Sequence, residues 1–303
     1  MKKKKNALEA KSKGDRILHA VSTAILLMVI LIVGYPVVYV ISSSFSSPEA
    51  ISAGRVTLLP VGFNLDGYEF VLHYQAVWNG FKNSIIYTLV GTTTTIVMDI
   101  LMAYPLSKQN YQGRSFVQKL LLIAMLTSAG MIPAYILRMQ LRLINNPLVI
   151  ILNGAVGIHS VLVLRTSFKN SIPGELFDAA KIDGASEFQC LVSIAIPLSK
   201  ATLSVLVLWS AVGCWNDYFG PMIYLPARED LWPMTLFLRN ILTSSQQLSA
   251  SALNGGNSAD VTGSSFEQIQ YCMIVITTVP VLTLYMIIQK YFKNGVMVGS
   301  VKG

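Results

Sequence analysis

The sequence predicts an all-α integral membrane protein with six transmembrane helices, and three observations carry that expectation. Of its 303 residues, 53% are hydrophobic and only 13% are charged, about half the roughly 25% of soluble domains. The apolar residues gather in six runs, at 17–41, 84–106, 117–137, 148–164, 198–223 and 271–288, each near the roughly 20 residues that cross a bilayer as a helix. The basic residues collect in alternate connections, as they do when one side of a membrane holds the positive loops.

Residues 1–16 form a basic, polar tail ahead of the first run. That run is too long for the core of a signal peptide and meets no small-residue cleavage site before Tyr35-Pro36, so it stays as a helix. Residues 42–79 read as an outer loop whose Phe63, Tyr68, Phe70 and Trp78 suit an interfacial aromatic belt. The second span carries Gly91 and the run Thr92 to Thr95, small and hydroxyl residues that let helices approach closely, with a solute path as the alternative. Asp99 lies near its inner end. Gly130 and Pro133 predict a kink in the third span. His159, in the fourth, reads as a satisfied polar residue. Residues 221–266 are rich in Ser, Asn, Gln and Gly, including Ser244-Ser245-Gln246-Gln247 and Asn254-Gly255-Gly256-Asn257, and read as a mobile outer loop.

With the N-terminus in the cytoplasm, the inner side holds Lys2 to Arg16, Lys108, Arg114, Lys119, Arg165, Lys169, Lys181, Lys200, Lys290, Lys293 and Lys302. Only Arg55, Lys82, Arg138, Arg142, Arg228 and Arg239 fall outside. Both termini and the connection around residue 184 are therefore expected in the cytoplasm. The net charge of +8 does not point to nucleic acid, because the basic residues sit beside apolar runs and build no face interleaved with aromatics. Cys190, Cys214 and Cys272 share no metal-ligand spacing and read as small core residues. A membrane-embedded transferase would want paired carboxylates, a metal cluster or a histidine-rich loop, whereas His19, His73 and His159 are scattered. No G-x-x-x-x-G-K-[ST] loop occurs in the sequence.

The most specific stretch is D-A-A-K-I-D-G-A-S-E-F-Q-C-L-V-S-I-A-I-P, from Asp178 to Pro197. Pro173, Glu175 and Asp178 suit a helix start, where a missing donor is harmless and acids complement the positive end of the dipole. Ala179, Ala180 and Ala185 give small side chains that a partner can approach. Gly184 supplies a bend at little steric cost, and Pro197 ends the segment.

This stretch resembles the EAA loop (E-A-A, three residues, G, nine residues, I-x-L-P) of the membrane subunits of ATP-driven importers. Asp178 stands for the usual Glu and Ile196 for the usual Leu. YVISSSFSSPE from Tyr39, GMIPAY from Gly130, WNDYF from Trp215 and QKYFKNGVMVGSVKG from Gln289 resemble carbohydrate permeases of binding-protein-dependent ABC importers, nearest the maltose-permease type for complex oligosaccharides. Lys293-Asn294 departs from the more usual valine-lysine of that tail.

The resemblance implies a type I ABC importer permease fold: a cytoplasmic tail at 1–16, a six-helix domain at 17–292 with a cytoplasmic coupling loop at 170–197, and a tail at 293–303 that can reach the ATPase. It implies coupling to the ATPase through Glu175, Asp178, Ala179, Ala180, Asp183, Gly184, Ala185, Ile194 and Pro197. A solute path at Trp215, Asn216, Asp217 and Tyr218 is the sharper reading of that cluster, with helix packing as the alternative. The implied partners are a second homologous permease, a cytoplasmic ATPase dimer that carries ATP and magnesium, an extracellular solute-binding protein, and a sugar or oligosaccharide. No cofactor and no metal are expected in this chain, which should lie as a multi-pass protein in the plasma membrane. A non-sugar solute carried by the same machinery stays open, although the tail and the WNDYF segment favour sugars.

Overall fold

The computed structural model describes residues 13–127, 129–253 and 260–299, all of whose regular elements are helical. They run α1 (Lys13–Ser44), α2 (Pro48–Ser52), α3 (Asp66–His73), α4 (Gln75–Ser107), α5 (Arg114–Leu126), α6 (Met131–Gln140), α7 (Leu148–Asn153) and α8 (Ile158–Ser171). There follow α9 (Gly174–Ile182), α10 (Glu187–Cys190), a π turn at Leu191–Ala195, α11 (Ile196–Leu198), α12 (Lys200–Asn216), α13 (Phe219–Tyr224), α14 (Met234–Leu253) and α15 (Asp260–Gly299). The expected basic tail lies outside the described residues up to residue 12, as do Asn254-Gly255-Gly256-Asn257 and the last four residues of the C-terminal tail. Two compact units divide the described residues: one holds those up to Val71 with Ser245–Val275, the other Leu72–Ser244 with those from Ile276 on.

All six apolar runs are helical, but they are not six straight rods. Among the described residues, α1 over Ile17–Ser44, α4, and α15 over Phe266–Gln289 are each long and apolar enough to cross a bilayer alone. Two further candidates are broken pairs, α5 with α6, bent by 115°, and Glu187–Leu198 with α12, bent by 83°. The kink expected from Gly130 and Pro133 is a break between two helices, with Gly130 at φ +80° just before α6. The run at 148–164 is divided between α7 and α8 by Gly154 to Gly157. The stretch at 221–266, expected as a mobile loop, is helical in α13, α14 and the start of α15. Buried Met234 and Leu236 anchor α14, and Ser84 Oγ accepts the Met234 N–H at 2.8 Å.

In the first unit, the run Ser42 to Ser47 ends α1 and ties down the chain beyond it. Ser42 Oγ donates to the Leu58 carbonyl, Ser46 Oγ accepts the Val61 N–H, and Tyr68 Oη donates to Ser44 Oγ. Ser47 caps α2 by accepting the Ala50 N–H, with Pro48 in the first turn, where its missing donor is harmless. Gly67 is small by need, since a Cβ there would lie 2.9 Å from Cys272 Sγ.

The second unit is organised on α4. At about 1.5 Å per residue its 33 residues reach about 50 Å, well beyond a hydrocarbon core of about 30 Å. Its amphipathy is inverted. Ser84, Thr92, Thr95 and Asp99 are buried along one face, spaced as a helix repeats. Leu89, Val97 and Leu101 are exposed, at 63, 48 and 51%. An apolar exterior over a polar interior suits lipid, where small and hydroxyl residues pack helices together. Gly91 allows close approach to α12, because a Cβ there would meet Cys214 Sγ at 3.2 Å.

This polar face also repairs the break between α7 and α8. Thr95 Oγ1 donates to the Gly154 carbonyl at 2.6 Å, and Asp99 Oδ1 accepts the Gly157 N–H at 2.9 Å. Asp99 has no exposed surface, so loss of its acceptor would leave a buried N–H unpaired, at about 1–3 kcal/mol. Asp99→Asn keeps an acceptor in place and should retain the thermal stability of the detergent-solubilised protein, whereas Asp99→Leu should lower it clearly. Equal melting temperatures for the Asn and Leu variants would show that the bond to Gly157 does not hold the break.

Candidate functional site

Residues 173–198 form a helix-turn-helix whose ends are fixed by local chemistry. Pro173 precedes α9 as its cap and Glu175 lies in the first turn. The C-terminus of α9 is a Schellman motif: the Ala185 N–H bonds the Ala180 carbonyl at 2.9 Å, and the Gly184 N–H bonds the Lys181 carbonyl at 3.1 Å. Gly184 takes the left-handed conformation this needs, at φ +80°. The chain then re-enters a helix through a capping box, in which Ser186 Oγ accepts the Gln189 N–H at 3.2 Å and Gln189 Oε1 accepts the Ser186 N–H at 2.7 Å. Pro197 lacks an N–H, and the helix widens into the π turn just before it, where the regular ladder would have needed that donor. After Ser199 the chain turns into α12.

The small residues of this segment divide between two faces. Ala180, Ala185 and Ile194 are partly buried and pack with Phe177 against the core of Tyr104, Leu164, Phe168, Cys190, Leu191 and Leu203. Ala179, Asp178, Asp183, Gly184 and Pro197 are exposed. Large apolar side chains are exposed with them: Ile182 at 86%, Phe188 at 69% and Leu176 at 45%. Exposed apolar side chains grouped in this way, among charged residues, are a feature of interaction surfaces.

A second feature of the segment was not read from the sequence. Glu187 draws together residues from α9 and from the end of α4. Its Oε1 lies 3.0 Å from Lys181 Nζ, and its Oε2 lies 3.8 Å from Lys108 Nζ. Tyr104 Oη donates to Oε2 at 2.8 Å. Lys108 Nζ stands 3.1 Å from the centre of the Phe177 ring and 4.7 Å from that of Tyr104, as a cation over aromatic faces. Burial pushes the Lys108 ammonium below its ordinary pKa, while the bond to Glu187 raises that of Lys181. Beside this cluster is a cleft of about 740 Å³ lined by Lys108, Lys169, Phe177, Asp178 and Lys181 among others. The end of α4 is itself held, since Gln118 Nε2 and Arg165 Nε both donate to the Leu106 carbonyl. Only the Ser-x-x-Gln spacing of the capping box was visible in the sequence as a signal.

The four residues at 215–218 are brought together as neighbours at the end of α12, with different surroundings. Trp215 is buried, edge-on to Phe81, and its indole N–H donates to the Thr277 carbonyl at 3.1 Å. Asp217 Oδ1 accepts the Gly220 N–H at 2.9 Å and so starts α13. Asn216 and Tyr218 are exposed, and the Arg239 guanidinium stands 5.6 Å from the centre of the Tyr218 ring. His159 packs edge-on to Trp209. No group of three or more metal-ligating side chains occurs among the described residues.

Long apolar helices, a buried polar face and an exposed apolar crest fit a membrane-embedded subunit. Comparison with known proteins makes this specific. The chain is 34% identical to Protein LplC of Bacillus subtilis over 88% of its length and 89% of that protein's. It is also 34% identical to the polygalacturonan/rhamnogalacturonan transport system permease protein YtcP of the same organism, over 92% and 96%. A crystal structure of a bacterial ABC transporter involved in the import of the acidic polysaccharide alginate matches with a TM-score of 0.81 and 32% identity, covering 93% of this chain and 98% of that one. No family model matches the sequence. The chain belongs to the carbohydrate permeases of ABC importers, and is a transporter subunit, not an enzyme.

At Gly184 a Cβ would meet nothing within 4 Å, so substitution there costs backbone strain and no clash. The left-handed conformation costs residues with a Cβ about 1–2 kcal/mol, least for Asn, which shifts the population of an intact turn about 5–30-fold. Limited proteolysis at 182–186 should therefore run several-fold faster in Gly184→Val than in wild type, with Gly184→Asn near wild type. Equal cleavage of the Val and Asn variants would contradict the strain account.

Proposed function

We propose that this chain forms half of the translocation path of an ATP-driven oligosaccharide importer, paired with a second homologous permease. In this reading residues 170–197 and both termini face the cytoplasm. A separate ATPase dimer, which binds ATP and magnesium, receives the crest of Leu176, Ala179, Ile182 to Gly184 and Phe188. Closure of that dimer moves the docked segment and switches the two permeases from inward-facing to outward-facing, ready for solute from an extracellular binding protein. The observation that carries this reading is the crest itself: Ile182 is 86% exposed on a segment pinned at both helix ends. An apolar side chain held rigidly in the open stabilises a docked partner without an ordering cost.

The solute we propose is an oligosaccharide from an acidic polysaccharide. YtcP is described as transporting polygalacturonan or rhamnogalacturonan and the solved relative imports alginate, all acidic glycans. Within this chain, Tyr218 and Asn216 are the exposed members of the 215–218 cluster, and Arg239 beside Tyr218 offers a cation to a sugar carboxylate. Trp215 and Asp217 support that surface from behind. An aromatic face and an arginine fork suit a sugar ring and its carboxylate.

The test is co-expression with the partner permease and ATPase, followed by purification on a tag in this chain and an uptake assay with oligogalacturonate in proteoliposomes that contain the binding protein. The chain alone should hydrolyse no ATP. Ile182→Glu should lose most of the ATPase from the purified complex, and Asp178→Lys should weaken it. Tyr218→Ala should retain the ATPase and lower uptake. ATP hydrolysis by the isolated chain, or full ATPase recovery with Ile182→Glu, would overturn the docking assignment.

A further inference from the structure

Docking a helix on an ATPase moves solute only if the docked helix moves a membrane helix with it. The crest on α9 and α10 shows where force would enter; the Glu187 cluster shows where it would leave. We propose that Glu187 is a positioning residue that locks the docking segment to the C-terminal end of α4, so that a displacement of α9 is passed to α4 as one rigid piece. The proposal deepens the coupling reading and rests on it.

Both carboxylate oxygens are used. Oε1 takes Lys181 from α9, and Oε2 takes Tyr104 and Lys108 from the far end of α4. Lys108 then closes the ring by standing on Phe177, which is again part of α9. Three elements are thereby joined through one group. Charge-assisted and cation–π contacts fix distance as well as proximity. The lock has a sheltered half, because Tyr104 is 6% exposed and the Lys108 side chain 23%, and an open half, because Glu187 and Lys181 are both at 54%. The sheltered half bears on the core, since Tyr104 also packs edge-on to Phe168 of α8. α4 is the helix whose buried polar face holds the break between α7 and α8, so its displacement reaches the interior of the unit. The crest residues Ile182 and Gly184 take no part in the lock. Docking and transmission are therefore separable by mutation.

The measurement is the number of solute molecules carried per ATP hydrolysed, in proteoliposomes with the full complex and binding protein, alongside ATPase co-purification. Glu187→Ala and Lys108→Met should retain the ATPase at wild-type levels while the ratio falls about tenfold, the size of coupling that contacting groups in one network show. The double variant should be no worse than Glu187→Ala alone. Tyr104→Phe removes one hydroxyl and keeps the ring, so it should fold normally and lower the ratio less, in the same direction. An unchanged ratio in Glu187→Ala or Tyr104→Phe, or additive losses in the double variant, would overturn the proposal. Loss of the ATPase from Glu187→Ala would place Glu187 in the docking surface, which also overturns it while the coupling reading stands. If Ile182→Glu keeps the ATPase, the coupling reading fails instead.

Discussion

In a bilayer, every backbone group freed by a break in a helix must find its partner within the protein, and the second unit of this chain is built around that requirement. Its apolar runs are interrupted more often than they are continuous, and side chains meet the interruptions. Thr95 and Asp99 serve the gap between α7 and α8, Asp217 serves the start of α13, and Ser84 serves the start of α14. Three of these four, Ser84, Thr95 and Asp99, come from the same face of α4. That helix therefore cannot shift without either carrying its neighbours along or leaving buried polar groups unpaired. The second outcome is costly, so the first is favoured.

The segment at 173–198 packs on the end of α4. Its inward side is ordinary packing, with Phe177, Ala180, Ala185 and Ile194 on the shared core. Its outward side keeps Ile182 and Phe188 in the open. Between the two, a Schellman motif and a capping box satisfy the backbone of the turn without help from a partner. The segment is thus ordered by its own hydrogen bonds. In the coupling we propose, such preorganisation leaves binding energy for moving the helices rather than for ordering a loop.

Much of this was legible from residues that act locally. Gly184 needed a positive φ because a helix had to end there, and Asp178 to Pro197 carried that punctuation in order. The membrane class followed from the scarcity of charge. What stayed hidden depends on partners distant in sequence. Glu187 meets Tyr104 across 83 positions, and nothing in the E-F-Q-C context announces it. Apolar runs also do not show bends: 148–164 reads as one span by composition, although Gly154 and Gly157 supply the flexibility for the break that Asp99 repairs. Residues 221–266 misled in the other direction, because a polar composition concealed Met234 and Leu236, which anchor a helix. For Trp215, a solute path and helix packing both fitted the sequence, and the structure gives its indole a backbone partner in Thr277.

If Glu187 locks them together as proposed, residues 173–198 and the end of α4 move as one rigid body throughout the transport cycle. Spin labels at Asp178 and Gln109, in a chain whose native cysteines have been replaced, would report their separation by pulsed electron resonance in the assembled complex. A rigid lock gives one narrow distance distribution that is the same without nucleotide, with bound ATP and after hydrolysis, while a label pair from Asp178 to an outer site on α4's neighbours changes. A distribution between 178 and 109 that broadens or shifts with nucleotide would contradict it, because the segment would then swing on α4 instead of carrying it.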